Sequence, residues 1–118
     1  RLFPITISRL ESAGINVTVM GPVPDYSVDV PYTIAVGKSA KLERRYDDVA
    51  SGNEYPVLSG ARGFVDVAAW FCKKRCVVQV RGKGVLYRDS NHLSVNGALL
   101  FKEDLKRMLA NPGAGVNG

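Results

Sequence analysis

The sequence contains a single histidine, His92, and only two cysteines, Cys72 and Cys76, among its 118 residues. Any step that needs an imidazole must therefore use His92. Two cysteines and one distant histidine are too few for a structural zinc site. Their C-x-x-x-C spacing also differs from the C-x-x-C of redox pairs. No run of about 18 apolar residues is present, so no segment reads as a membrane span. The first residues, Arg1-Leu2-Phe3-Pro4, lack the pattern of a signal peptide, in which a charged region precedes an apolar run and a small-residue cleavage site. Helix-like sequence starts almost at once, and this abrupt start predicts a chain cut from something longer. Repeats and low-complexity segments are absent. Neither Gly-Asp-Ser nor G-x-S-x-G occurs, and none of the eight serines stands in a recognisable nucleophile context.

What is present reads as one globular domain at most. Hydrophobic residues make up 46%, which is ordinary for a packed core and excludes a disordered chain. The net charge is +5. Basic residues gather at Lys38, Lys41, Arg44 and Arg45, at Lys73, Lys74 and Arg75, and at Arg81, Lys83 and Arg88. Such clusters suit nucleic acid, lipid headgroups or acidic glycans. Solvated faces are the simpler account, because no nucleic-acid motif with interleaved aromatics accompanies the charge.

Leu2, Ile5, Leu10 and Ala13 recur at roughly helical spacing, and Gly14 is a helix stop. Residues 15–20, rich in β-branched side chains, predict a strand broken by Gly21-Pro22-Val23-Pro24. Helix, glycine, strand and breaker in that order describe one unit of a parallel α/β sheet. Residues 25–37, with Pro31, read as irregular. A short exposed helix is expected over 38–50, a glycine-rich loop over 51–62, and a second buried strand over 64–71. A short strand at 77–80, a turn at 81–84 and an extended segment at 85–87 follow. Ser94 is a good N-cap for a final helix, in which Phe101, Leu105, Met108 and Leu109 form one apolar stripe. Asn111-Pro112-Gly113 stops it, and 111–118 is expected to be a disordered tail to the domain at 1–110. Asn16-Val17-Thr18 fits a glycosylation sequon, but inside an expected strand it reads as a chance match.

His92 lies in Asp89-Ser90-Asn91-His92, between an extended segment and a helix. A hydrolase that activates a hydroxyl needs an imidazole base and a carboxylate that holds it in the right tautomer. Two intervening residues let one tight turn bring the carboxylate to Nδ1 and leave Nε2 for a nucleophile. On spacing alone, a surface histidine beside an unrelated helix-start aspartate is the commoner arrangement.

The run Tyr87 to Ala98 resembles the last motif block of SGNH hydrolases. The likeness is strongest to the SGNH domains fused to acyltransferase-3 membrane domains. Asp89, His92, Leu93, Ser94, Gly97 and Ala98 carry it. Gly21 to Pro24 and the Cys72/Cys76 pair resemble the same group. The resemblance implies an α/β fold, part of a three-layer parallel sheet flanked by helices. It implies a Ser-His-Asp mechanism with His92 as base and Asp89 as its orienting carboxylate, and no metal or organic cofactor. The implied partners are a carbohydrate acceptor on a bacterial surface glycan, an acyl donor and an upstream transmembrane acyltransferase domain of the same polypeptide, with no nucleic acid. The implied address is the periplasmic side of an inner-membrane protein. There a Cys72–Cys76 disulfide is expected, with two buried free thiols as the alternative. The Gly-Asp-Ser, glycine and asparagine blocks of the family are missing. They are expected upstream of Arg1, leaving this chain inactive alone. Two other readings stay open: a non-catalytic glycan-binding or scaffolding module on the same fold, and a small basic nucleic-acid-binding protein.

Overall fold

The computed structural model describes residues 2–52 and 55–110. The expected tail at 111–118 lies outside the described residues. Helix α1 (Leu2–Ser12) ends where Gly14 takes a φ of +83°, the left-handed conformation that a residue with a Cβ avoids. Strand β1 is only Val19–Met20, shorter than the predicted 15–20. Its ladder partner, β2 (Phe64–Val65), is equally short: Val19 faces Phe64 and Met20 faces Val65, in parallel. β-Branched residues favour a strand only where a neighbouring strand is there to pair, and Ile15 is half exposed.

Prolines 24 and 31 predict irregular chain over 25–37, yet Val30–Ala35 form helix α2. Pro31 stands in the first turn, where a missing N–H costs no helical bond. Asp29 caps that turn by accepting the Tyr32 N–H at 2.8 Å. The exposed helix expected over 38–50 is instead a 3-10 turn (Ser39–Leu42) and helix α3 (Tyr46–Ala50), which bury Leu42 and Val49. The loop expected over 51–62 contains helix α4 (Tyr55–Ser59). The predicted strand 64–71 divides: after β2, Asp66 caps helix α5 (Val67–Phe71). An unbroken apolar run fits a buried strand and a buried helix equally well.

Strands β3 (Gln79–Val80) and β4 (Gly84–Val85) form an antiparallel hairpin. Ser94 caps helix α6 (Val95–Leu100), and the final helix breaks at Phe101 before continuing as α7 (Lys102–Ala110). Phe101 and Met108 are buried as the stripe predicts, whereas Leu109 is exposed. The chain is thus mixed α/β, with one small parallel sheet, one small antiparallel sheet and short helices.

An aromatic cluster ties these pieces together. The Phe71 ring lies 4.4 Å from Phe101 and 6.1 Å from Tyr87, and Trp70 stacks on Phe101 at 6.0 Å. Val30, Val65 and Leu86 are completely buried in the same core. Helix α1 stands largely outside it, with Phe3, Ile5 and Leu10 exposed.

Candidate functional site

Residues 86–94 fold back on themselves. The Ser94 N–H donates to the Leu86 carbonyl, the Arg88 N–H donates to the His92 carbonyl, and Tyr87 bridges Leu93. Asp89, Ser90 and Asn91 form the turn. Asp89 Oδ1 accepts the backbone N–H of Asn91 at 2.9 Å and of His92 at 2.7 Å, an Asx-type turn that this side chain favours. Its other oxygen, Oδ2, lies 2.8 Å from His92 Nδ1. One carboxylate therefore shapes the turn and orients the ring within it. The predicted pairing of Asp89 with His92 is present.

These contacts favour the charged carboxylate. The Asn91 amide, then the His92 amide, then the imidazole hold the Asp89 carboxyl down to about 2. With Nδ1–H directed at Asp89, the lone pair of an otherwise neutral imidazole sits on Nε2. Among the described residues Nε2 has no hydrogen-bond partner, and the His92 side chain is 63% exposed. The pair can accept a proton from a hydroxyl brought to Nε2 and stabilise the resulting imidazolium.

The turn is fastened to the chain that leaves the parallel sheet. The Tyr26 and Val30 N–H groups donate to the carbonyls of Ser90 and Asp89. Tyr87, fully buried, donates its hydroxyl to the Pro24 carbonyl at 2.6 Å and packs edge-on against Tyr26. Behind the turn, Ser94 Oγ donates to the Val85 carbonyl at 2.7 Å and accepts the Gly97 N–H at 3.0 Å. Gly97 lets α6 touch the strand: a Cβ there would fall 2.1 Å from the Leu86 carbonyl oxygen. The matching Ser94 and Gly97 of the motif thus hold the turn against α6.

Cys72 and Cys76 form a disulfide. The short loop it closes pairs with the chain at 44–46 rather than with the 77–88 segment alone. The Cys76 N–H donates to the Arg44 carbonyl, the Tyr46 N–H donates to the Lys74 carbonyl, and Arg45 bridges Arg75. Two basic clusters far apart in sequence meet there. Arg75 pairs with Glu43 at 3.2 Å and Arg44 with Asp25 at 2.6 Å.

Sequence reasoning missed a second polar group near the turn. The Tyr46 hydroxyl donates to the buried Asp66 carboxylate and lies 2.7 Å from the Tyr55 hydroxyl. The only signal for it was Asp66 preceding an apolar run, which marks a helix cap. Ser94, Ser51 and Ser59 direct their hydroxyls at nearby backbone carbonyls. Among the described residues no serine hydroxyl bonds His92, and no group of three or more His, Cys, Asp or Glu side chains is placed to hold a metal ion. No described helix is long and apolar enough to cross a membrane.

Neither the curated proteins nor the solved structures offer a match to this chain. The family model described as the SGNH domain fused to AT3 domains does match, over residues 5–107. That span takes in the Gly21–Pro24 breaker, the disulfide and the Asp89–His92 turn, and the chain belongs to this family of SGNH domains.

Proposed function

We propose that His92 is the general base and Asp89 the orienting carboxylate of a Ser-His-Asp acyl-transfer centre whose serine lies N-terminal to Arg1. The 2.8 Å contact between Asp89 Oδ2 and His92 Nδ1 carries this reading. The serine hydroxyl attacks the acyl carbonyl and its proton passes to Nε2. The tetrahedral intermediate collapses, and Nε2–H protonates the departing group. A carbohydrate hydroxyl then gives its proton to Nε2 and attacks the acyl-enzyme, and as the second tetrahedral intermediate collapses Nε2–H returns that proton to the departing serine oxygen. Water in its place gives ester hydrolysis. Asp89 remains ionised throughout and stabilises the imidazolium. The chemistry requires no metal or organic cofactor.

In this reading an acyltransferase-3 domain of the same polypeptide hands over the acyl group. The acceptor is a surface glycan on the periplasmic side of the inner membrane. Membership of a family whose SGNH domains are fused to AT3 domains supports the first point. The disulfide supports an oxidising compartment. The β1–β2 pair is then the margin of a larger parallel sheet with helices on both faces, which would cover Ile5, Leu10 and Met20, all exposed here.

The test is acyl-ester turnover by a polypeptide extended N-terminally to include the serine. Asp89→Asn should lower kcat on the order of 10⁴-fold and His92→Ala on the order of 10⁶-fold, while the 118 residues alone show no turnover. Full activity in extended His92→Ala would defeat the proposal. Turnover by the 118 residues alone, lost in His92→Ala, would place the nucleophile inside this chain.

A further inference from the structure

Between Asp29 and Glu43 the chain carries no acidic residue. This stretch starts at the dyad turn, where the Val30 N–H donates to the Asp89 carbonyl. Beyond α2, residues 35–41 are exposed without a break. Gly37 turns the chain at a φ of +74°, and a Cβ built on it would meet nothing within 4 Å. Residues 30–42 thus form a lobe, with Val30 and Leu42 buried at its two ends.

The outer side of the lobe is both apolar and basic. Tyr32 and Val36, four residues apart and so on one side of α2, are 67% and 44% exposed. With Val28, Lys38 and Lys41 they line a cavity of about 530 Å³. Among the described residues neither lysine is in an ion pair. The one carboxylate in the lining, Asp29, caps α2 at the end away from Lys38 by accepting the Tyr32 N–H. Glu43, the next acidic residue along the chain, is paired with Arg75. Two unpaired cations and an exposed tyrosine–valine face therefore share one surface.

This combination selects a partner. A nucleic acid or an acidic polysaccharide is met by cations and polar groups and gains nothing from an exposed valine. An anionic bilayer uses both kinds of group. Lysine ammonium groups reach lipid phosphates, while a tyrosine ring and aliphatic side chains lie at the headgroup boundary. By contrast, the basic loop at 73–75 has its arginine paired with Glu43 and carries no aromatic residue.

We infer that residues 32–41 form a docking surface for an anionic lipid bilayer, with Tyr32 and Val36 at the headgroup boundary and Lys38 and Lys41 on lipid phosphates. The contact does not depend on the acyl-transfer chemistry. The six residues of α2 rise only about 9 Å from the turn, so docking holds the dyad close to the membrane surface. The test is co-sedimentation of the 118-residue chain with vesicles of phosphatidylcholine, alone or mixed equally with phosphatidylglycerol. Binding should need phosphatidylglycerol and fall as salt rises. Lys38→Gln with Lys41→Gln should weaken it about 25-fold, about fivefold for each lysine at an anionic surface. Lys73→Gln with Lys74→Gln removes the same charge elsewhere and should change it by less than about twofold, because that loop stays off the bilayer. Tyr32→Ser with Val36→Ser, which leaves the charge unaltered, should weaken it about fivefold or more. Equal losses from the two lysine pairs, unchanged binding in Tyr32→Ser with Val36→Ser, equal binding to phosphatidylcholine alone, or no vesicle binding would each overturn the inference. Tighter binding to single-stranded DNA, lost in the same four substitutions, would assign the surface to nucleic acid and overturn it as well. None of these readouts needs turnover, so their failure leaves the Asp89–His92 proposal standing, and an inactive dyad leaves the docking surface standing.

Discussion

The two oxygens of Asp89 act on different partners, and the acid range can separate their effects. Both amides and the imidazole bind the ionised form, so the folded-state carboxyl lies at about 2, below the ordinary 3.8. A depressed carboxyl stabilises the fold where it is ionised in both states. Its contribution is therefore complete above about 4 and is lost as the pH falls through about 2. The Asn91 and His92 amide resonances should accordingly shift with a midpoint near 2 rather than near 4. In Asp89→Ala both amides should exchange with solvent faster at every pH. A midpoint near 4 would show that the turn does not hold the carboxylate as described.

At the scale of elements, two joints position the turn. The first is the contact of α6 with the Leu86 carbonyl. A methyl at Gly97 cannot be absorbed by rotating a side chain, because the clashing atom belongs to the backbone. Gly97→Ala should cost about 1–3 kcal/mol, seen as a lower Tm. It should also perturb the resonances of 86–94 more than those of β1 and β2. The second joint is the disulfide loop. Closing so short a loop contributes about 2 kcal/mol in the chain-entropy account. Reduction should leave the core folded and speed exchange at the Tyr46 and Cys76 amides, which bond across to Lys74 and Arg44. Unchanged exchange there would mean that the pairing with 44–46 holds without the cross-link. Before reduction, non-reduced mass spectrometry should find no alkylatable thiol.

For the molecule as a whole, protection should be uneven. Local opening is easiest where few side chains are buried. Among the residues of α1 whose burial is described, 3–12, only Ile7 and Glu11 are even partly buried, and Glu11 reaches Arg62 at 3.5 Å. Amide exchange should therefore be fastest in α1 among the helices of more than eight residues, and slowest around Leu86, Tyr87 and Phe71. Extending the chain N-terminally should slow exchange in α1 if further chain covers its apolar side. An α1 as protected as the core in the 118 residues alone would contradict this picture.

Local chemistry was legible in the sequence and long-range pairing was not. Asp89 and His92 are three residues apart, so an aspartate's preference for the amides two and three positions on already brings them together. The same holds for the Gly14 stop and the Ser94 cap, both decided within about one turn of chain, whereas the Cys72–Cys76 bond was expected only through the compartment that the family resemblance implies. The strands at 15–20 and 64–71 were only partly legible, because strand length depends on a partner more than forty residues away. The remaining features join distant residues: Tyr87 to Pro24, Tyr46 to Asp66, Arg44 to Asp25, and α6 to Leu86 through Gly97. Each depends on which surfaces pack together, and no spacing rule encodes that. By itself the sequence determined that Asp89 and His92 share one short turn, and the family resemblance, not the spacing, marked them as a pair. The tertiary structure decided what stands beside them, because Tyr26 and Val30 reach the turn only when the chain has folded.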